Sequence, residues 1–260
     1  MVFTFMLLAG KVCIITGGAS GIGEIMAKRF AEEGAIIVIA DIDGQAGQRV
    51  ALEIGSAQGS QVAYSFQLDV SSESEVQALV TDIMNQHGRL DVLVNNAATI
   101  LPKPLEEVSE PEWTRLMNIN LKSVYLMTKH TIGLLRQTKG NIVNMASLNG
   151  LIGQKQNAAY AATKGAMIAL TKSLALDYAV DGVRVNCICP AGVSTPLLEK
   201  WIQEQDDPVR ARTALNDMHP LGRPALPEEV ADAALFMASG LARFVTGVAL
   251  PVDGGASLGY

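Results

Sequence analysis

Cysteine, histidine and basic clusters are scarce in this sequence, and each shortage closes off a class of function. Three cysteines, Cys13, Cys187 and Cys189, are too few for a disulfide framework. Cys187 and Cys189 lie two apart in the strand-like run Val183-Arg-Val-Asn-Cys-Ile-Cys, where both face the same way. No His/Cys spacing supplies further ligands, so buried thiols are expected there and no metal site. The histidines His87, His130 and His219 are scattered and form neither a zinc pattern nor a nucleophile-activating one. The formal charge is −6, with no Lys/Arg cluster, which argues against nucleic acid or an anionic membrane as partner. Nor does any segment reach the ~20 apolar residues that span a bilayer. The opening Met1-Val-Phe-Thr-Phe-Met-Leu-Leu has no basic flank and no clear cleavage site. It reads as an N-terminal extension over residues 1–10 and not as a signal peptide, and with reduced thiols the expected compartment is cytoplasmic.

What is present is a regular alternation. Short apolar runs at Val12–Thr16, Ile36–Ala40, Val62–Gln67, Val92–Val94, Asn141–Met145, Val183–Ile188 and Val248–Val252 read as strands. Between them lie helical stretches at Gly21–Gly34, Gly44–Ile54, Glu73–His87, Pro111–Arg136, Ala158–Val180 and Glu228–Ala238. The Pro111–Arg136 stretch reads as one long helix. Such alternation predicts a single α/β domain over residues 11–260, with a parallel sheet and helices on both faces. The one long irregular region, about residues 190–227, holds a helix near Leu197–Glu204 and is expected at the carboxyl edge of the sheet, where ligands bind.

The first strand runs into Thr16-Gly-Gly-Ala-Ser-Gly-Ile-Gly. Gly17, Gly21 and Gly23 allow a tight turn and close backbone approach to a pyrophosphate. Ser20, Gly21, Ile22 and Gly23 would open the helix, whose N-terminal amides and dipole favour an anion. Asp41 ends the second strand, where a carboxylate can accept hydrogen bonds from an adenosine ribose and would repel a 2′-phosphate. It could equally be the N-cap of the next helix, a role also open to Asp43. No lysine or arginine sits in the glycine loop, so NAD is the expected cofactor over NADP.

Tyr160 and Lys164 stand four apart in Ala158-Ala-Tyr-Ala-Ala-Thr-Lys-Gly, hence on one helix face, and Ser147 lies upstream. A free tyrosine, with a pKa near ~10, is a poor base at neutral pH, and a neighbouring ammonium favours its phenolate.

With these motifs in this order, the chain resembles the short-chain dehydrogenase/reductase family from about Lys11 to Gly255. The matching residues are the glycine turn, Asp69-Val70, Asn95-Asn-Ala-Ala, Asn120 in Asn118-Ile-Asn-Leu, Ser147, Tyr160-x-x-x-Lys164, and Thr246-Gly with Val252-Asp-Gly-Gly. The resemblance implies a doubly wound Rossmann domain with a mostly parallel seven-stranded sheet, and a dehydrogenase acting on CH–OH groups. By the same resemblance, Tyr160 is the general acid/base and Lys164 lowers its pKa and holds the nicotinamide ribose. Ser147 bonds the substrate oxygen, and Asn120 positions a water in the proton path. Asp69 and Val70 contact adenine, while Asn96 and Ala97 line the cofactor cleft. A turn at Pro190–Thr195 covers the nicotinamide, with contacts from Val193 and Thr195. Read from the residues alone, Asn95, Asn96 and Asn120 could instead satisfy buried backbone groups, Ser147 could cap a helix, and Asp69 could serve a turn. Ala98 and Ala191 stand where the family commonly has glycine, and Gly192 offers compensating flexibility.

The implied substrate is a small alcohol or its carbonyl product. Asn149 and Gln154 would suit a hydroxyl-rich ligand or simply face solvent. The C-terminal part resembles the branch holding L-fucose dehydrogenases and type 14 17β-hydroxysteroid dehydrogenases, which implies a sugar hemiacetal such as that of an aldose. The apolar Leu197, Leu198, Trp201 and Ile202 would suit a steroid or other apolar alcohol, or serve packing. Tyr260 would reach a substrate pocket or fray. An inactive nucleotide-binding scaffold would lack a catalytic residue, and all four are present. Family members are usually dimers or tetramers, so a homo-oligomer is implied, a homotetramer first, with the long helices in contact.

Overall fold

In the computed structural model, residues 6–58 and 62–258 are described. Seven strands form one sheet in the order β3-β2-β1-β4-β5-β6-β7, and every neighbouring pair is parallel. They are β1 Val12–Thr16, β2 Ile36–Asp41, β3 Ala63–Gln67, β4 Val92–Asn95, β5 Asn141–Met145, β6 Arg184–Pro190 and β7 Ala249–Val252. Nine α-helices follow the chain: α1 Gly21–Glu32, α2 Gly44–Gln58, α3 Glu73–His87, α4 Glu110–Met117, α5 Ser123–Thr138, α6 Ala158–Tyr178, α7 Pro196–Gln203, α8 Pro208–Asp217 and α9 Pro227–Ala238, counted among the described residues.

Alternate residues of β1 show why helices cover both faces. Cys13 and Ile15 pack with Met26 and Phe30 of α1, Val50 of α2, and Val230 and Leu235 of α9. Val12 and Ile14 point the other way, into a cluster with Val76, Leu79 and Ile83 of α3 and Leu126, Met127 and Leu135 of α5. A strand buried on both faces needs an unbroken apolar run, and β1 is buried at all five positions. The expected doubly wound parallel sheet is therefore what the chain forms. The amino-terminal stretch is tied down as well: Leu8 is buried, and its amide donates to the Glu33 carbonyl at 2.9 Å.

Two expectations about helices need correction. Residues 111–136 are not one α-helix, because a π-helical turn at Asn118–Lys122 separates α4 from α5. Nothing in the apolar pattern marks that turn, since no proline or glycine interrupts it. It carries the buried Asn120, whose side chain bonds outside the helix. The region 190–227 holds a second helix, α8, which Asp207 caps by accepting from the Arg210 amide at 2.9 Å.

The strand order reverses between β1 and β4. In parallel sheets a crevice opens at the carboxyl ends there. Thr16, Asp41, Asn95, Ser147 and Pro190 all end or directly follow strands on that edge.

Candidate active site

The glycine turn is shaped by contacts that leave no room for side chains. Gly17 has φ +62°, and a Cβ there would lie 2.9 Å from the Ala97 Cα. A Cβ on Gly23 would stand 2.0 Å from the Gly17 carbonyl oxygen, so α1 can start this close to β1 only with glycine. Ser20 is exposed at the N-cap of α1 but makes no side-chain cap, which leaves the first amides of the helix to an outside acceptor. Ile22 is half-buried against the core. A dinucleotide fits such a cradle: close-approach glycines and uncapped helix amides are what a pyrophosphate needs.

Neighbouring strand ends lock the turn. The Asn96 side-chain amide donates to the carbonyls of Thr16 and Gly17 at 3.0 Å each, and the Thr16 hydroxyl accepts from the amides of Asn96 and Ala97. Asp41 Oδ2 accepts from the Ala19 amide at 2.9 Å and its Oδ1 from the Asp43 amide at 3.1 Å. Asp43, not Asp41, caps α2, through the Ala46 amide at 2.9 Å. Arg49 donates to the Ala19 carbonyl, but its charge is met by Glu24 and Glu53, both at 2.8 Å.

A cleft of about 630 Å³ opens beside Asp41, lined by Ile42, Asp69, Ser71, Thr114, Arg115 and Asn118 among others. Asp69 shapes its wall by accepting from both the amide and the hydroxyl of Ser71, the turn chemistry that its sequence context allowed. Val70 is buried behind it. The α4 residues Thr114 and Arg115 in this wall lie just before the Asn118-Ile-Asn-Leu motif and belong to no motif themselves.

The proton-transfer groups meet at the ends of β5 and α6. Alanine-rich sequence favours helix, and Tyr160 lies in the first turn of α6 with Lys164 one turn on. The Lys164 ammonium is buried and sits 5.6 Å from the centre of the Tyr160 ring. It donates to the Met145 carbonyl at 2.7 Å, and burial pushes its pKa down to about 8. Burial is also the largest influence on Tyr160 and raises its pKa, opposed by a hydrogen bond with Ser147. The expected lowering by Lys164 is thus not expressed in this arrangement, because the ammonium is turned to the Met145 carbonyl and is itself desolvated. Ser147 Oγ also accepts from the Asn149 amide at 3.2 Å.

Asn120 spends its side chain on structure. Its Oδ1 accepts from the Thr99 amide at 2.8 Å, and its Nδ2 donates to the Thr99 carbonyl and the Thr163 hydroxyl. Asn95 donates to the Asn144 side chain at 2.8 Å within the core, a side-chain partner and not the backbone group that the alternative reading named. Pro190 ends β6, the buried Val193 bridges to Ala225, and Thr195 caps α7 through the Leu198 amide. Close to Ser147 in the chain, Asn149 donates at 2.5 Å to Gln154 Oε1, which also accepts from Asn157 at 3.2 Å. Ala98 is exposed. On α7, Ile202 is fully buried and serves packing, whereas Trp201 remains 38% exposed. The Leu197 side chain and Tyr260 lie outside the described residues.

The family model described as Enoyl-(Acyl carrier protein) reductase matches residues 17–257. An L-fucose dehydrogenase of Oryctolagus cuniculus is 43% identical over 252 residues, covering 96% of this chain and 86% of the relative. The chain is a short-chain dehydrogenase/reductase. Solved structures of this family agree closely with its fold. The ligand-free aldohexose dehydrogenase of Thermoplasma acidophilum superposes with a TM-score of 0.88 at 35% identity, covering 98% of this chain and 97% of that one. A 3-ketoacyl-(acyl-carrier-protein) reductase from Brucella melitensis, complexed with NADH, gives 0.86 at 38% identity, with 96% and 99% covered. Membership makes the chain an oxidoreductase acting on CH–OH groups, with a nicotinamide cofactor. Among the described residues no helix is long and apolar enough to cross a membrane, and no cluster of three or more His, Cys, Asp or Glu could hold a metal.

Proposed function

We propose that this enzyme is an NAD-dependent sugar dehydrogenase that oxidises the hemiacetal hydroxyl of an aldose such as L-fucose. The observation that carries the reading is the Ser147, Tyr160 and Lys164 cluster, from which a chain of polar side chains runs out through Asn149 to Gln154 and Asn157. The L-fucose and aldohexose dehydrogenases among its relatives support the sugar.

Gly17, Ser20, Gly21, Ile22 and Gly23 would hold the pyrophosphate, Asp41 the ribose, and Asp69 and Val70 the adenine. Asn96, Ala97, Pro190, Val193, Thr195, Tyr160 and Lys164 would surround the nicotinamide half. The bound nicotinamide supplies the redox partner for the carbon being oxidised. Tyrosinate at Tyr160 takes the hydroxyl proton, and the Ser147 hydroxyl donates to the oxygen as carbonyl character develops. Lys164, with its pKa near 8, can exchange protons near neutrality, and its charge would favour that tyrosinate once the ammonium turns from the Met145 carbonyl. Because the Asn120 amide is already spent, it would hold the proton-path water through its main chain. Asp41 supports NAD, and the paired charge of Arg49 offers a 2′-phosphate little attraction.

A second reading, an apolar secondary alcohol such as a hydroxysteroid, draws on the exposed Trp201 and Leu221 of the lid region. Initial rates with NAD or NADP against aldoses, polyols, hydroxy acids and steroids separate the two. Turnover of aldoses with NAD is expected, while steroid-only turnover or a strong NADP preference would overturn the first reading. We further infer a cytosolic homo-oligomer, a tetramer or a dimer. An apolar groove of about 610 Å³ on α5 and α6, lined by Leu121, Tyr125, Ala169 and Leu170, supports that assembly, which light scattering would test.

A further inference from the structure

We infer that His219 is a positioning residue, a latch that fastens the α7–α8 lid to the turn beside the catalytic cluster; this rests on the dehydrogenase reading above. The imidazole is only 2% exposed, yet no motif includes it. Its Nδ1 lies 2.7 Å from the Leu215 carbonyl, which can only accept. Its Nε2 lies 3.2 Å from the Gly192 amide, which can only donate. Two backbone groups of fixed polarity therefore dictate a neutral ring with its proton on Nδ1 and a bare lone pair on Nε2.

Gly192 is where both feet of the lid meet. Its amide donates to His219, and its carbonyl accepts from the Ala225 amide at 2.9 Å. The other ties of the 190–193 turn are few: Pro190 has no N–H, and the Ala191 amide reaches the Val252 carbonyl only at 3.4 Å. Beyond the flexibility read from the sequence, the glycine at 192 leaves room for the imidazole. A Cβ on it would stand 3.1 Å from His219 Cε1 and 3.2 Å from Leu215 Cδ1, so glycine lets the ring reach the amide.

The latched turn faces the site. At its far end, the Thr195 methyl is 3.9 Å from where a Cβ of Gly21 would stand. At its near end, β6 pairs with β5, whose extension carries Ser147. A shift of the α8 end, passed through His219 to Gly192, moves the wall between the phosphate turn and Ser147. Losing the Nε2 acceptor strands the Gly192 amide and frees that wall.

The test pairs two variants that keep one ring function each. His219→Gln can place an acceptor near the Nε2 position, whereas His219→Asn reproduces only the donor near Nδ1. The expected result is a rise of roughly tenfold in KM for both NAD and the alcohol in the Asn variant, with kcat changed less. The Gln variant should stay within about threefold of the parent, even where both variants lose similar thermal stability. Equal KM values in the two variants would overturn the latch. A readout independent of turnover is the 15N spectrum of the imidazole in the parent protein. A neutral ring protonated on Nδ1 is expected, and protonation on Nε2 would overturn the latch directly. Absence of NAD-dependent turnover in the parent would instead fall on the proposed function, and the spectrum would still decide the role of His219.

Discussion

Around Gly17–Gly23 the ties are short and run between strand ends: Asn96 to two carbonyls at 3.0 Å, Asp41 to the Ala19 amide at 2.9 Å, and Thr16 to two amides. The lid over residues 196–217 is held differently. Its ends are fixed at Gly192, Thr195 and His219, while its helices carry exposed residues such as Trp201 and Val209 and a surface pair of Arg212 with Glu199. A turn fixed by the sheet can keep one geometry for a cofactor common to the family. A lid hydrogen-bonded at its feet, with Ile202 as its buried anchor, can change its other side chains without disturbing that geometry, which leaves room for substrate choice to vary there.

Substitution of Gly23 by alanine should break the first half of that contrast most severely. The new methyl meets the Gly17 backbone and the Asn96 side-chain amide that locks the turn, so NAD affinity measured by calorimetry should fall by roughly a hundredfold or more, or the fold should fail. Affinity near that of the parent would show that the turn is less rigid than its contacts imply. Asp41→Ala should reduce the preference for NAD over NADP by roughly tenfold in kcat/KM, since a charge that repels the 2′-phosphate is removed. Trp201→Ala sharpens the other half. It should change KM for the alcohol by about threefold and leave NAD affinity alone, because the side chain lies on the lid.

Much of this was legible in the sequence, for identifiable reasons. The bounds of α3, Glu73–His87, are those read from the sequence, and the helix stops at Gly88, which adopts a left-handed φ of 64° at the C-cap. Strands buried on both faces announced themselves as apolar runs. The candidate catalytic side chains were named from the family resemblance, to which the spacing of Tyr160 and Lys164, one helical turn apart on α6, gave a physical reason. What was hidden depended on contacts distant in sequence. The π turn at Asn118–Lys122 leaves no mark in an unbroken helical pattern. Helix α8 lacks any buried residue, so it shows no apolar stripe, although Asp207-Pro208 is a start signal. His219 gains its role from Gly192, 27 positions away.

The amino edge of the sheet offers a control with the smallest expected kinetic effect. Asp91 is buried there, and although burial opposes its charge, hydrogen bonds from Arg89, the Val12 amide and Lys11 outweigh this and hold its carboxyl below the usual range. A depressed folded pKa contributes stability above the unfolded value near ~3.9, and that stability is lost as pH falls through the lower folded value. Asp91→Asn should therefore lower Tm by several degrees at pH 7 and by less near pH 3, with KM values unchanged. A gap in Tm that persists undiminished at low pH would show that packing, not charge, sets the role of Asp91.

The proposed chemistry rests on Tyr160 moving the proton in an NAD-dependent oxidation of an aldose. Its most direct test measures NADH formation from L-fucose by the parent and by Tyr160→Phe, alongside NAD affinity for both. Turnover by the parent is expected, with a loss of at least ~100-fold in kcat for the variant and NAD affinity within a few-fold of the parent. A variant that forms NADH at close to the parent rate would contradict it.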